Sequence, residues 1–146
     1  MAQDVPLRLQ TKQDVLIYVS QKSVQEKRPF KIQKSEPNRF CVVCTVTGCP
    51  FYILFKNNID GWSPIRKSKE HSCVPSLPTV KKEWVKFKIF ELFGSKEMPS
   101  AKDLLNLFHV TFGVEVTESM MKTARIEAKK ELTEHKLSFG LVGSYL

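Results

Sequence analysis

The chain has 146 residues, 42% of them apolar, and a net charge of +8 from 23 Lys and Arg against 15 Asp and Glu. This length fits one domain or two very small ones, and no apolar run approaches the ~20 residues that cross a bilayer. The first residues lack the apolar core of a secretory signal. Residues 1–80 carry 12 basic and 6 acidic side chains, a concentrated positive field that favours phosphate backbones or acidic membranes.

The first part of the chain, residues 1–76, predicts a short lead-in helix followed by a small antiparallel sheet. Thr11 and Asp14 have the spacing of a capping box for a helix over residues 11–20. Short β-rich segments separated by turn signals follow, and they predict strands at 30–33, 39–45, 51–55 and 62–66. The alternation of the first strand points Phe30 and Ile32 inward. Such a sheet is too small to bury a stable core by itself.

The second part, residues 77–146, predicts three helices packed as a bundle. Two prolines in residues 74–80 indicate a joint before it. Residues 81–93 and segments opened by Ser100 and Thr117 have helical periodicity. The predicted inward side chains are Trp84, Val85, Phe87, Ile89, Leu92, Ala101, Leu104, Leu105, Phe108, Met121, Ala124, Ala128 and Leu132. The fold class is therefore predicted as α+β.

All four cysteines lie between residues 41 and 73, which favours a metal site over a disulfide framework. Cys44-x4-Cys49 places two ligands at a strand end and its following turn. His71-x-Cys73 places two more on one side of an extended segment. Three thiolates and one imidazole match a closed tetrahedral Zn²⁺ site, which is structural because no position remains for a catalytic water. We therefore predict one structural zinc ion and no enzymatic activity.

Cys41 also forms a C-x2-C pair with Cys44, and the alternative is that Cys41 is a ligand. Residues 41 and 44 point to opposite faces of a strand, so we favour Cys41 as an apolar strand residue. A second alternative is that the cysteines are simply buried core residues. The position of His71 two residues before Cys73 argues against it.

The stretch CTVTGCPFYILF followed by HSC resembles the zinc-finger superfamily of plant WRKY domains, the glial-cells-missing family and the N-terminal region of Mutator-like transposases. The resemblance is nearest to the Mutator-like branch. It is carried by Cys44, Cys49, Pro50, Phe51, Trp62, Ile65, His71 and Cys73, and more weakly by Ala124, Arg125, Ala128, Ser144, Tyr145 and Leu146. The WRKY heptapeptide is absent, so no target sequence is implied. The two alternatives are a separate small protein and a piece of a larger one, and the chain's end inside this resemblance favours the second.

The resemblance implies a nuclear module that binds double-stranded DNA through the strand before the first cysteine. The side chains expected at DNA are Lys31, Gln33, Lys34 and Arg39 for bases, and Arg66 and Lys67 for phosphates. A basic stripe on the third helix, containing Lys122, Arg125, Lys129 and Lys136, is interpreted as an ordinary charged helix face rather than a second DNA contact. A protein–protein adaptor and an RNA-binding module are the alternatives, and homo-oligomerisation is left open.

Overall fold

A computed structural model describes residues 9–59, 61–68, 70–94 and 96–139. The chain divides into two compact units, a sheet unit (Met1–Val80) and a helical unit (Lys81–Leu146). Over the described residues the fold is α+β, with four helices and one four-stranded antiparallel sheet. Among the residues just given, no helix is both long and apolar enough to span a membrane.

The sheet unit contains helix α1 (Lys12–Glu26) and strands β1 (Phe30–Ser35), β2 (Arg39–Cys44), β3 (Tyr52–Asn58) and β4 (Gly61–Lys67). The strands lie in sequence order, so each pairs with its neighbour along the chain. This is the antiparallel sheet that the sequence predicted.

Helix α1 covers one face of the sheet. Its first turn is closed by the predicted capping box, in which Thr11 accepts from the backbone N–H of Asp14 and the Asp14 side chain accepts in return. The core beneath it combines α1 side chains with alternate residues of the strands: Val15, Val19, Phe30, Phe40, Val42, Cys44, Phe51, Ile53, Phe55 and Trp62. We call the opposite side of the sheet, which carries Cys41 and Val43, the far face.

The segment predicted as a joint is bonded to the sheet unit. The backbone N–H of Ser76 donates to the carbonyl of Lys27 at 2.8 Å, and that of Thr79 donates to Ser23 Oγ at 2.9 Å. Thr79 Oγ1 in turn accepts from the backbone N–H of Phe30. Residues 76–80 therefore continue the sheet unit up to its boundary at Val80.

Gly61 stands where the N-terminal segment joins β4. Leu9 and Trp62 exchange two backbone hydrogen bonds, and a Cβ added at Gly61 would lie 2.6 Å from the Leu9 carbonyl oxygen. Gly48 also has positive φ but has open space around its missing Cβ.

We therefore expect Gly61→Ala to destabilise the protein more than Gly48→Ala. Both changes carry the left-handed backbone cost of about 1–2 kcal/mol, and only the first adds a collision with backbone. Denaturant unfolding of metal-loaded protein measures the difference. Equal losses of stability would mean that the Leu9 contact contributes nothing.

The helical unit contains α2 (Lys82–Phe93), α3 (Ala101–Phe112) and α4 (Glu118–Phe139). Ser100 and Thr117 accept hydrogen bonds from first-turn backbone N–H groups of α3 and α4, as their capping pattern predicted. Trp84 is fully buried and meets the ring of Phe108 edge-on at 5.8 Å. Ion pairs join α2 to α4, the shortest linking Lys86 Nζ to Glu131 Oε2 at 2.6 Å.

Several sequence predictions were wrong in detail. Helix α1 extends six residues beyond the predicted end, to Glu26. Ile32 was expected inside but is 36% exposed, because β1 lies at the edge of the sheet. Leu92 and Phe87 were expected in the helical core, and each is 38% exposed. The resemblance at residues 144–146 lies outside the described residues.

Candidate metal centre

Four side chains meet where β2 ends and the chain returns after β4. Cys44 is the last residue of β2, and Cys49 follows a turn in which Gly48 has φ +86°. The backbone N–H of Cys49 donates to the Val46 carbonyl at 3.0 Å, which closes that turn. A residue with a Cβ is disfavoured at this φ, so the glycine places the second cysteine next to the first.

The other two side chains arrive from the segment after β4. Pairing to β3 continues past the strand, since Ser68 donates its backbone N–H to the Tyr52 carbonyl at 3.0 Å and its Oγ accepts from Tyr52 N–H at 2.7 Å. The chain then turns His71 and Cys73 toward the end of β2. The 21 residues between Cys49 and His71 thus form the predicted hairpin.

The four ligand atoms form one compact cluster. Cys44 Sγ lies 3.7 Å from Cys73 Sγ, and His71 Nδ1 lies 3.4 Å from Cys49 Sγ and 3.8 Å from Cys73 Sγ. All four atoms are within 4.8 Å of one another. The predicted residues therefore come together, and they could hold one metal ion.

Cys41 lies outside this cluster. It is buried at 7% exposure, and it sits one strand position away from the inward-facing Phe40 and Val42, on the far face. Burial raises the pKa of the Cys41 thiol, as expected for a sulfur in an apolar setting. The structure agrees with its interpretation as a strand residue.

The two cysteines of the turn have different environments. Burial, and after it the neighbouring sulfurs of Cys49 and Cys73, raise the pKa of Cys44 to about 11. Burial also acts to raise the pKa of Cys49, but backbone hydrogen bonds from Phe51 and Ser72 outweigh it and lower that pKa to about 5. Cys44 is therefore the harder of the two thiols to deprotonate, and because a metal binds cysteine as thiolate, binding of a cation releases a proton.

His71 is held from two sides. Its ring stacks on Phe51 with centroids 3.9 Å apart and planes 17° from parallel. Its Nε2 faces Glu26 Oε1 at 3.5 Å, and the other Glu26 oxygen accepts from Lys22 Nζ at 2.8 Å. This contact leaves Nδ1 directed at the sulfurs. Glu26 was not among the predicted site residues, because α1 was expected to end six residues earlier, at residue 20.

We expect Glu26→Gln to weaken metal binding by roughly 10- to 100-fold, the usual effect of losing a carboxylate behind a ligating histidine. Glu36→Gln, on the exposed β1–β2 turn, removes the same charge away from the cluster and is the control. Competition with a chromophoric chelator measures both affinities. An unchanged affinity in Glu26→Gln would show that stacking on Phe51 alone positions the imidazole.

The residues predicted to contact DNA are divided between the two sides of the sheet. β1 contains a bulge, because Ile32 pairs with Val42 while Lys34 already pairs with Cys41, so that Gln33 is the extra residue. Lys31 pairs with Val43 and therefore lies on the far face as well. Four of the predicted residues line a far-face concavity of about 450 Å³: Gln33, Lys34, Arg39 and Arg66.

Lys67 is separated from this group. It pairs with the core residue Ile53, whereas Arg66 pairs with Leu54 on the far face. Lys67 Nζ lies 4.0 Å from Glu70 Oε2 on the side of α1. Arg66 and Lys67 were both expected to contact phosphate, but their side chains lie on opposite faces of β4.

The basic stripe of α4 is partly occupied by contacts within the helical unit. Arg125 Nε donates to the Pro99 carbonyl at 2.6 Å, and Lys122 lies 3.4 Å from Glu118 Oε2. These partners fit the interpretation of the stripe as a charged helix face. The Lys136 side chain lies outside the described residues.

Comparison with known proteins yields no assignment: no protein-family model, curated protein or solved structure matches this chain.

Proposed function

We propose that this chain is a zinc-dependent module that binds double-stranded DNA with sequence specificity, in the manner of the N-terminal region of Mutator-like transposases or of a nuclear regulator derived from one. In this proposal the protein itself is not an enzyme, and α2, α3 and α4 form a three-helix bundle. The observation that carries it is the Cys₃His cluster at the end of a sheet whose strands bear only positive charge.

The choice of zinc rests on ligand chemistry and spacing. At Zn–S distances of about 2.3 Å, the sulfurs of a regular tetrahedron lie roughly 3.8 Å apart, and a Zn–N bond of about 2.0–2.1 Å brings sulfur and nitrogen slightly closer. The distance between Cys44 and Cys73 sulfurs is 3.7 Å, and those from His71 Nδ1 are 3.4 and 3.8 Å. Since the protein supplies all four ligands, the ion has a structural role.

The choice of DNA rests on charge and shape. Every strand carries at least one Lys or Arg and none carries Asp or Glu. β1 is an edge strand, and Lys31, Gln33 and Lys34 on it are all exposed. A two-stranded ribbon fits the major groove, where Gln pairs with adenine and Lys or Arg with guanine. The edge formed by β1 and β2 is the part of the sheet that fits this mode.

The test is selection of bound duplexes from a random pool by zinc-loaded protein, followed by affinity measurements over a range of salt. We expect an enriched motif and a steep linear fall of log affinity with log salt. Gln33→Ala should reduce discrimination between motif and scrambled duplex, and Arg66→Ala, which removes an expected phosphate contact, should weaken both equally. No duplex binding at low salt would favour the adaptor alternative. Unchanged discrimination in Gln33→Ala would exclude the edge strand as reader.

A further inference from the structure

The far-face concavity shares Gln33, Lys34 and Arg39 with the proposed duplex-reading edge, but its apolar floor has no part in that reading. Its rim is cationic or polar and its floor is apolar. The floor is formed by Cys41, Val43, Tyr52 and Leu54. It continues to Cys49, Pro50 and Phe51 between β2 and β3. A volume of about 450 Å³ is within the range of small-ligand sites.

The charge around this floor has one sign. Lys34 and Arg39 border it on β1 and β2, and Arg66 borders it on β4. Lys56 adds a fourth cation, because it pairs with Arg39 on the same face. Asp and Glu are missing from all four strands. The surface is therefore complementary to a ligand that combines negative charges with a flat apolar part.

The floor is too wide to insert into the major groove of a regular duplex. Four strands spaced about 4.8 Å apart span roughly 14 Å before side chains are added, whereas the major groove is about 12 Å wide. The four-stranded face is therefore wider than this groove, whereas the two-stranded β1–β2 edge fits it. Proteins that bind unpaired nucleic acid combine a cationic surface along the backbone with an aromatic platform beneath the bases.

We propose that the far-face concavity binds an unpaired nucleotide of single-stranded DNA. The base lies on the apolar floor against Tyr52, Gln33 faces the polar edge of the base, and Lys34, Arg39 and Arg66 contact the flanking phosphates. This site goes beyond the proposed duplex function. Together the two would direct the protein to places where duplex and single strand meet.

The experiment uses the zinc-loaded full chain and a fluorescent oligothymidylate, with anisotropy as the readout. Arg66→Gln and Lys67→Gln are matched variants, since they remove neighbouring positive charges from opposite faces of β4. We expect Arg66→Gln to weaken binding several-fold and Lys67→Gln to leave it nearly unchanged. Tyr52→Ala should weaken it roughly 5-fold or more, as expected for a lost stacking contact. Metal content and circular dichroism verify folding of each variant.

Amide chemical shifts give a second measurement that does not depend on any variant. On addition of the oligothymidylate, the amides of Cys41, Val43 and Leu54 should shift, and those of α1 should not. Equal weakening by Arg66→Gln and Lys67→Gln, shifts spread over both faces, or tighter binding of oligouridylate would overturn the proposal.

A blunt duplex, measured in parallel, separates this proposal from the proposed function. Duplex binding without oligothymidylate binding overturns only the far-face site. Oligothymidylate binding with the Arg66–Lys67 contrast, but without duplex binding, supports the far-face site and overturns the duplex function.

Discussion

Removal of the metal from the Cys₃His cluster is expected to unfold the sheet unit and to leave the helical unit folded. The ligands come from three separate stretches: the end of β2, the following turn and the segment after β4. Without the ion, the cysteine thiolates and the buried His71 imidazole would lie close together with no cation to bind them. Structural zinc in finger peptides contributes an apparent binding free energy of about 10–16 kcal/mol, more than the entire stability of many small domains.

Matched cysteine variants make this prediction specific. Cys44→Ser removes a ligand, whereas Cys41→Ser changes a cysteine of equal burial, 7% exposed, that lies three residues away and outside the cluster. We expect the first variant to lose stoichiometric metal and the sheet unit's amide dispersion. The second should keep both, with a loss of only about 1–3 kcal/mol for placing a hydroxyl in an apolar setting.

Elemental analysis and amide spectra of the two variants, with and without chelator, are the measurements. If the Cys44→Ser protein keeps one equivalent of metal, or if the sheet unit stays folded in chelator, the cluster is not what holds the sheet. Loss of metal in the Cys41→Ser protein would indicate that Cys41 is a ligand.

Trp84→Ala is expected to unfold the helical unit while metal binding by the sheet unit persists. Trp84 is completely buried and lies edge-on to Phe108 at 5.8 Å and to Phe112 at 5.3 Å. Truncation of a buried tryptophan costs about 3–5 kcal/mol, and the aromatic contacts to two rings are lost with it. A unit of this size has little stability beyond that amount.

Phe87→Ala is the control, because it truncates an aromatic residue of the same helix that is 38% exposed. Phe87→Ala should reduce the stability of the helical unit far less, because the side chain is partly exposed and alanine is the better helix former. Thermal unfolding followed at 222 nm, together with zinc stoichiometry, checks both variants. A similar loss of thermal stability in both variants would indicate that α2 also packs through the face that carries Phe87. Loss of zinc in Trp84→Ala would mean that the two units do not fold independently.

The sequence predicted the local structure well wherever one short-range rule applied. The Thr11 capping box, the Ser100 and Thr117 caps and the four strands follow from residue spacing within a few positions. The boundaries of these elements depend on tertiary contacts with other parts of the chain. α1 continues to Glu26, and in this added part Ser23 is buried and accepts from the backbone N–H of Thr79, a contact that the chain's local periodicity does not reveal.

The burial errors have a common physical origin. Phe87 and Leu92 lie within a helical pattern that is apolar on more than one side, so periodicity cannot choose which side packs. Ile32 alternates correctly with Phe30, but β1 is an edge strand and all of its residues after Phe30 are exposed. Only the positions of neighbouring elements decide these exposures.

The four metal-ligating candidates were determined by the sequence alone, because few side chains bind zinc and their spacing leaves little choice of partner. Tertiary structure alone decided what surrounds them. It brought Glu26 of α1 behind His71, and a one-residue bulge at Gln33 brought Lys34 onto the far face beside Arg39 and Arg66. Residue types determine ligand chemistry. The face on which a strand presents its charged side chains depends instead on the strand's register, and register is set by pairing between segments distant in the chain.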